Sequence, residues 1–478
     1  MTPTPTRDRT RARIGTRTRS APWGTGGRWA GWGAVAVWAV GIAAAFTVGW
    51  YLRRAGLATE DDLPPLHARA RERPLTWDLL PVVGVAAAAV VFLPVLAARL
   101  PWRTLPPVAW AAAAVWTVAL AATDGWDALA RPLDAPTEYP AGLAQLRPDP
   151  LEWLRTFTER LGGYTTHVRG HPPLPTLVLW ALERVGLGGT GWAAAFLIAA
   201  GTSTVAAVAV TVRCAAGERA ARAAVPFLVL APLALWVATA MDALFMAVGA
   251  WGTALLTVAA RRDRGGVGAV AAAVAAAAGG GLLLGCLPYL SYGLLPLAAV
   301  PLAAVVLVGR VACRPRAVLV VAAAVGLAVV PATFTALGFW WPDGVRATLD
   351  TYLVSRGSAQ RSYAYFSAAN LAVLGLLTGP AVAHALPRAA GALRDAARTR
   401  ARARTPAAAV AVLAAAGLVG ALALDVSGVT RGEVERIWVP YAVWLMTAAA
   451  LHRPPARAWL AAQAATAVTV QALVLSPW

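Results

Sequence analysis

Acidic residues and arginines able to do chemistry gather in four polar stretches of an otherwise apolar chain of 478 residues. The longest, residues 123–173, holds seven acidic residues and five arginines, opens on Asp124-Gly-Trp-Asp127 and ends in His167-Val-Arg-Gly-His-Pro-Pro173. Asp242 stands alone between two apolar runs. Residues 340–366 carry Asp343, Arg346, Asp350, Arg356, Arg361, Tyr363 and Tyr365, and residues 425–438 carry Glu433, Glu435 and Arg436. A general base must sit within hydrogen-bond reach of the hydroxyl it activates. A phosphate leaving group needs cations, and a guanidinium fork matches its oxygens. Asp124 or Asp127 is the candidate base, because each follows directly on a helix end. Arg169, Arg356, Arg361 and Arg436 are the candidate phosphate ligands. His167 and His171 are candidate hydrogen-bond donors beside them, and Asp242, Glu433 and Glu435 are further substrate contacts.

Plainer roles stay open for each. An Asp after a membrane helix is often only interfacial, and Asp242 in a short turn can be a solvated N-cap. Glu433, Glu435 and Arg436 can form a surface ion pair of little energetic weight. Tyr363 and Tyr365 suit an aromatic belt at a membrane interface. His167 and His171, separated by Val-Arg-Gly with no neighbouring Cys, make a poor zinc site.

The elements that must position these residues are membrane helices. The chain is 59% hydrophobic and 14% charged, well below the quarter or so expected of a soluble domain. Its apolar runs match the ~20 residues a helix needs to cross a bilayer. The fold expected is all-α, a polytopic helical bundle. The net charge of +19 comes from arginines in short loops between apolar runs, as the positive-inside rule expects, so nucleic acid is not an expected partner. Cys214, Cys286 and Cys313 show no CxxC spacing, which supports neither a zinc site nor a disulfide framework. Residues 1–28 form an Arg-rich cytoplasmic tail, and the long apolar run 29–51 reads as a retained signal anchor.

Thirteen crossings are expected, at about 29–51, 79–98, 106–122, 191–212, 223–238, 243–260, 267–285, 288–309, 317–337, 367–386, 406–424, 437–451 and 456–474. The run 174–187 poses a choice. If it crosses, every later arginine-rich loop, including 388–404 with six Arg against one Asp, falls outside. If it lies in the interface, those loops return to the cytoplasm. Its length, about 21 Å as a helix, falls short of a ~30 Å core. We therefore expect an interfacial helix in an external loop 123–190, the N-terminus inside, the C-terminus outside, and 388–404 as a flexible cytoplasmic loop near anionic headgroups. All four polar stretches then share the outer face. No inverted repeat of the transporter kind is evident.

A helix ending in an external Asp, a long first loop with an interfacial helix, and many further crossings resemble the GT-C class of membrane glycosyltransferases. Thr123-Asp-Gly-Trp-Asp127, Pro136-Thr-Glu-Tyr139, His167-Val-Arg-Gly-His-Pro-Pro173 and Gly432-Glu-Val-Glu-Arg-Ile-Trp-Val-Pro440 look like segments of actinobacterial integral membrane proteins grouped with that class. The resemblance covers about 106–478, with residues 29–105 as two extra helices before it. It implies sugar transfer from a polyprenyl-phosphate donor to an acceptor hydroxyl of a glycan, lipid or protein, at the outer face of the plasma membrane. It matches Asp124 to the family's base or acceptor-orienting residue, with Asp127 second, and His171 to the basic residue before Pro-Pro that approaches the lipid phosphate. Asp242 and Glu435 would contact sugar hydroxyls. The adjacent acidic pair of many relatives is replaced here by Asp-Gly-Trp-Asp. No nucleotide cofactor is expected, since a phosphate loop of the GxxxxGK[ST] type requires lysine and the chain has none. A divalent metal, with Asp124 and Asp242 as ligands, stays open. A transporter or lipid flippase would place ionisable residues nearer mid-membrane. A non-catalytic cell-envelope scaffold is the third alternative.

Overall fold

In this computed structural model, residues 25–57, 61–73, 75–261, 266–309, 316–354, 358–398 and 405–477 are described. Most of the N-terminal tail, Cys313, Arg356 and residues 399–404 lie outside them. The described chain is helical, apart from one two-residue strand pair. Three helices open it: α1 (Thr25–Arg54), α2 (Leu80–Arg99) and α3 (Leu105–Ala121). The loop after α3 folds into four short helices, α4 (Tyr139–Leu146), α5 (Pro150–Arg155), α6 (Thr166–Gly170) and α7 (Leu174–Arg184). Then come α8 (Thr190–Ala216), α9 (Glu218–Val229), α10 (Asp242–Arg261), α11 (Val267–Leu290), α12 (Ala299–Val308), α13 (Arg316–Ala336) and α14 (Trp341–Val354). The C-terminal part holds α15 (Tyr363–Arg398), α16 (Pro406–Ser427), α17 (Val434–Ile437), α18 (Val439–Leu445) and α19 (Arg457–Leu473). Strand β1 (Arg69–Ala70) pairs antiparallel with β2 (Val474–Leu475), tying the first loop to the last helix.

Among the described residues, nine helices are long and apolar enough to cross a membrane. The other four expected crossings are built from shorter pieces: α9 with the 3-10 turn Pro232–Trp236, the apolar segments Tyr292–Val308 and Val439–Leu451, and α19. This is a multi-pass helical membrane protein. Helix α7 has 11 residues, about 16 Å at 1.5 Å each, too short for the hydrocarbon core.

Polar contacts sort the loops into two groups and so fix the parity of the crossings. His67 donates its backbone N–H to Glu435, Arg71 binds Asp124 and the carbonyl of Val474, Arg361 meets Asp61, and Arg436 joins Asp242 to His167. These residues must share one side. Arg222 donates to the carbonyls of Ala97 and Leu100, Arg261 donates to that of Arg213, and the His384 ring packs on Trp32 and His452. That is the other side. Thirteen apolar segments alternating between the groups satisfy every one of these contacts. If the segments 191–212 and 223–238 cross, a crossing by residues 174–187 would place His167 and Asp242 on opposite sides, against their joint contact with Arg436.

Helix α15 bends where Gly379 adopts φ +75°, just before Pro380. A side chain here would be strained, and the bend breaks the backbone hydrogen-bond ladder inside an apolar span. Gln463 of α19, fully buried, repairs the break: its amide donates to Thr378 O at 2.8 Å and its carbonyl accepts from Ala381 N at 3.1 Å. Residues 388–398, expected as part of a flexible loop, continue α15 instead. The sequence Ala-Ala-Gly-Ala-Leu-Arg-Asp-Ala-Ala-Arg398 is rich in helix formers, and its basic end suits a helix C-terminus.

Candidate active site

Helix α3 ends in a single 3-10 turn, Ala122–Asp124, and Gly125 at φ +93° stops it. Asp124 is thereby held at the rigid end of a membrane helix. Both of its carboxylate oxygens accept from Arg71, at 2.5 and 2.6 Å, and Gln471 of α19 adds an amide 3.3 Å from Oδ2. Arg71 is anchored in turn: its Nε donates to Val474 O at 3.0 Å, and its backbone N–H donates to Leu473 O. The side chains of Arg71 and Asp124 retain 17% and 23% exposure, because they line a cavity of about 500 Å³. Arg69, Arg131, Thr239 and Gln471 line it as well. Arg131 reaches Asp127 Oδ2 at 2.7 Å, and both side chains are well exposed, so this rim pair holds neither residue firmly. Thr239 is buried, and its hydroxyl has no hydrogen-bond partner.

Three residues past Thr239, Asp242 enters a second, buried constellation. Arg436 donates to Asp242 Oδ2 at 3.0 Å, to Glu433 Oε2 at 2.9 Å and to His167 Nε2 at 3.2 Å. With Nε2 accepting, Nδ1 of His167 carries the proton and lies 2.9 Å from Glu138. Arg361 reaches Glu433 at 3.4 Å and Asp61 at 3.3 Å, and Asp61 also contacts His67 Nδ1 at 2.6 Å. Tyr139 stacks on His167, and its buried hydroxyl has no partner. Five segments far apart in sequence are thus tied together by charge.

The electrostatics follow from burial and these pairings. Burial raises the carboxyl of Glu435 to about 7; one oxygen accepts from the His67 N–H at 2.9 Å and the other has no partner. Burial would raise Glu433 too, but Arg436 and Arg361 outweigh it and hold that carboxyl down at about 2. Burial lowers His171 to about 4, so its ring is neutral near pH 7. It donates Nδ1–H to the carbonyl of His167 at 3.0 Å. The hydrogen bond to Asp61 holds His67 above its usual range.

The structure brings His167, Asp242, Arg361, Glu433 and Arg436 into one network, with Glu435 and His171 at its edges. Asp124 and Asp127 stand apart from it, beside the cavity. Arg169 is partly exposed and forms no ion pair among the described residues, and Arg356 lies outside them. The guanidiniums beside Asp124 are Arg69, Arg71 and Arg131, none of them singled out in the sequence. Asp61, His67, Glu138, Thr239 and Gln471 were missed as well. The available signal was topological, since the loop 52–78 falls on the same side as residues 123–173. Asp124 and Asp242, the two carboxylates considered for a metal, each face a guanidinium. Among the described residues no group of three or more His, Cys, Asp or Glu could hold a metal ion.

No family model matches the chain, and no curated protein matches it. Among solved structures it is similar to the oligosaccharyltransferase of Archaeoglobus fulgidus in the apo form, at 14% sequence identity and a TM-score of 0.38. That match covers 72% of this chain and 50% of the other, so the chain spans about half the length of that structure. At that similarity the chemistry must be argued from the residues themselves.

Proposed function

We propose that this protein is an inverting membrane glycosyltransferase of the GT-C type. It moves a sugar from a polyprenyl phosphate to an acceptor hydroxyl at the outer face of the plasma membrane. The observation that carries this reading is Asp124, fixed at a helix end in a polar cavity with Arg69, Arg71 and Arg131. In the reaction the acceptor oxygen attacks the anomeric carbon from the side opposite the phosphate. Its proton passes to the Asp124 carboxylate, and the breaking C–O bond leaves its electrons on the phosphate, whose charge rises from −1 to −2. Guanidiniums positioned for that added charge stabilise the transition state more than the ground state. Asp127, on the rim, is the reserve base, and Arg169 an outer contact for donor or acceptor.

The network of Arg361, Arg436, Asp242, Glu433 and His167 is closed on itself, carboxylate to guanidinium. In this reading it braces the loops that wall the cavity, and Glu435 and His171 pack behind it. Apolar grooves of about 500 Å³ between α1 and α15 and about 850 Å³ among α10, α11, α12 and α13 suit an isoprenoid chain. The test is transfer by the purified protein in lipid nanodiscs, supplied with radiolabelled polyprenyl-phosphate sugars and a panel of glycan, lipid and peptide acceptors. Acceptor-dependent release of polyprenyl phosphate is expected. Its absence across the whole panel, with folded protein, would contradict the proposal.

A further inference from the structure

Arg71 clasps the Asp124 carboxylate, so an acceptor hydroxyl must compete with a guanidinium to reach it, and the same Arg71 lines the cavity. Both carboxylate oxygens accept from its guanidinium and a third donor comes from Gln471, so most of the acceptor sites of the carboxylate are taken. The clasp is anchored at one end only. Arg71 Nε and its backbone are fixed to the last helix and strand through Val474 O and Leu473 O, which leaves the terminal amino groups free to change partner about that point. Beside it stands Arg69, exposed and without an ion pair among the described residues, and Thr239 with its unpartnered hydroxyl. The cavity lining carries three guanidiniums against one carboxylate. Even counting Asp127 as the partner of Arg131, one positive charge is left over.

We propose that a phosphate group entering this cavity takes Arg71 from Asp124, so that the carboxylate is freed as a base only when the phosphate is in place. This rests on the glycosyl-transfer reading for the role of Asp124, but the exchange itself is a binding event. Phosphate oxygens compete well for a guanidinium fork, the more so as their charge rises toward −2. Arg69 supplies the first contact and Arg71 the second. The device also keeps Asp124 from activating water or an acceptor when no donor is bound.

Calorimetric titration of the protein in nanodiscs with farnesyl phosphate, and separately with inorganic phosphate, tests the exchange. Asp124→Asn removes the competing charge and should tighten binding about tenfold, a difference of ~1.4 kcal/mol. Arg69→Gln, at an exposed position where folding is not at stake, should weaken it by a similar factor. A response to farnesyl phosphate alone assigns the site to a lipid headgroup, and an equal response to inorganic phosphate assigns it to the free anion. Both support the exchange. Unchanged or weaker binding in Asp124→Asn, or full binding in Arg69→Gln, overturns it. Tightening without transfer to any acceptor keeps the exchange and removes the transferase reading; transfer without tightening does the reverse.

Discussion

Two carboxyls, Asp124 and Glu435, show how much and how little a residue's neighbours can be read from sequence. Asp124 was legible because an apolar run of helix length stops just before it, and a helix end fixes a side chain. Its partner Arg71 was not, since it lies 53 residues earlier in a loop whose mixed charges carry no local pattern. Glu435 was legible as a polar residue at a helix start, but its burial to 1% exposure depends on His67 and the packed loops around it. That burial has a pH signature. The folded-state value of about 7 lies above the ordinary 4.5, so the folded protein keeps its proton where the unfolded chain has lost it. Stability from this group is therefore full below pH 4.5, declines as pH rises toward 7, and is flat beyond. His171, lowered to about 4, contributes the opposite slope over the same window, so the signature of Glu435 is a difference: melting temperatures of Glu435→Gln should rise more with pH between about 4.5 and 7 than those of the wild type. An unchanged slope would count against the burial.

Single elements were readable wherever length or charge decided the matter. The shortness of α7 was readable from its apolar run, and the contact of both His167 and Asp242 with Arg436 fits its lying at the interface. The bend in α15 was not readable. Gly-Pro within an apolar run marks a weak point, yet nothing local announces that a glutamine 82 residues away would fill the gap. Replacing Gln463 by Leu leaves Thr378 O and Ala381 N unpaired in an apolar interior, at roughly 1–3 kcal/mol for each group. A drop in thermal stability of the purified protein is the expected outcome, and an unchanged melting temperature would mean the bend is satisfied in another way.

For the whole molecule, the helical bundle was legible in composition, while the meeting of five loop segments on one face required the folded chain. The contacts that place those loops together make a direct prediction for labelling in cells. In a variant lacking native cysteines, a cysteine at Glu159 or Ser427 should react with a membrane-impermeant maleimide from outside. One at Thr104 or Arg219 should react only after permeabilisation. Reaction of all four from outside would break the parity on which the site depends. The central claim, that Asp124 is the base of a glycosyl transfer beside a phosphate cavity, is tested most directly by the initial rate of transfer in Asp124→Asn against wild type and Asp127→Asn. The account predicts a loss of about 10²–10⁴-fold for Asp124→Asn, with phosphate binding tightened rather than lost and Asp127→Asn near wild type. Full activity in Asp124→Asn would contradict it.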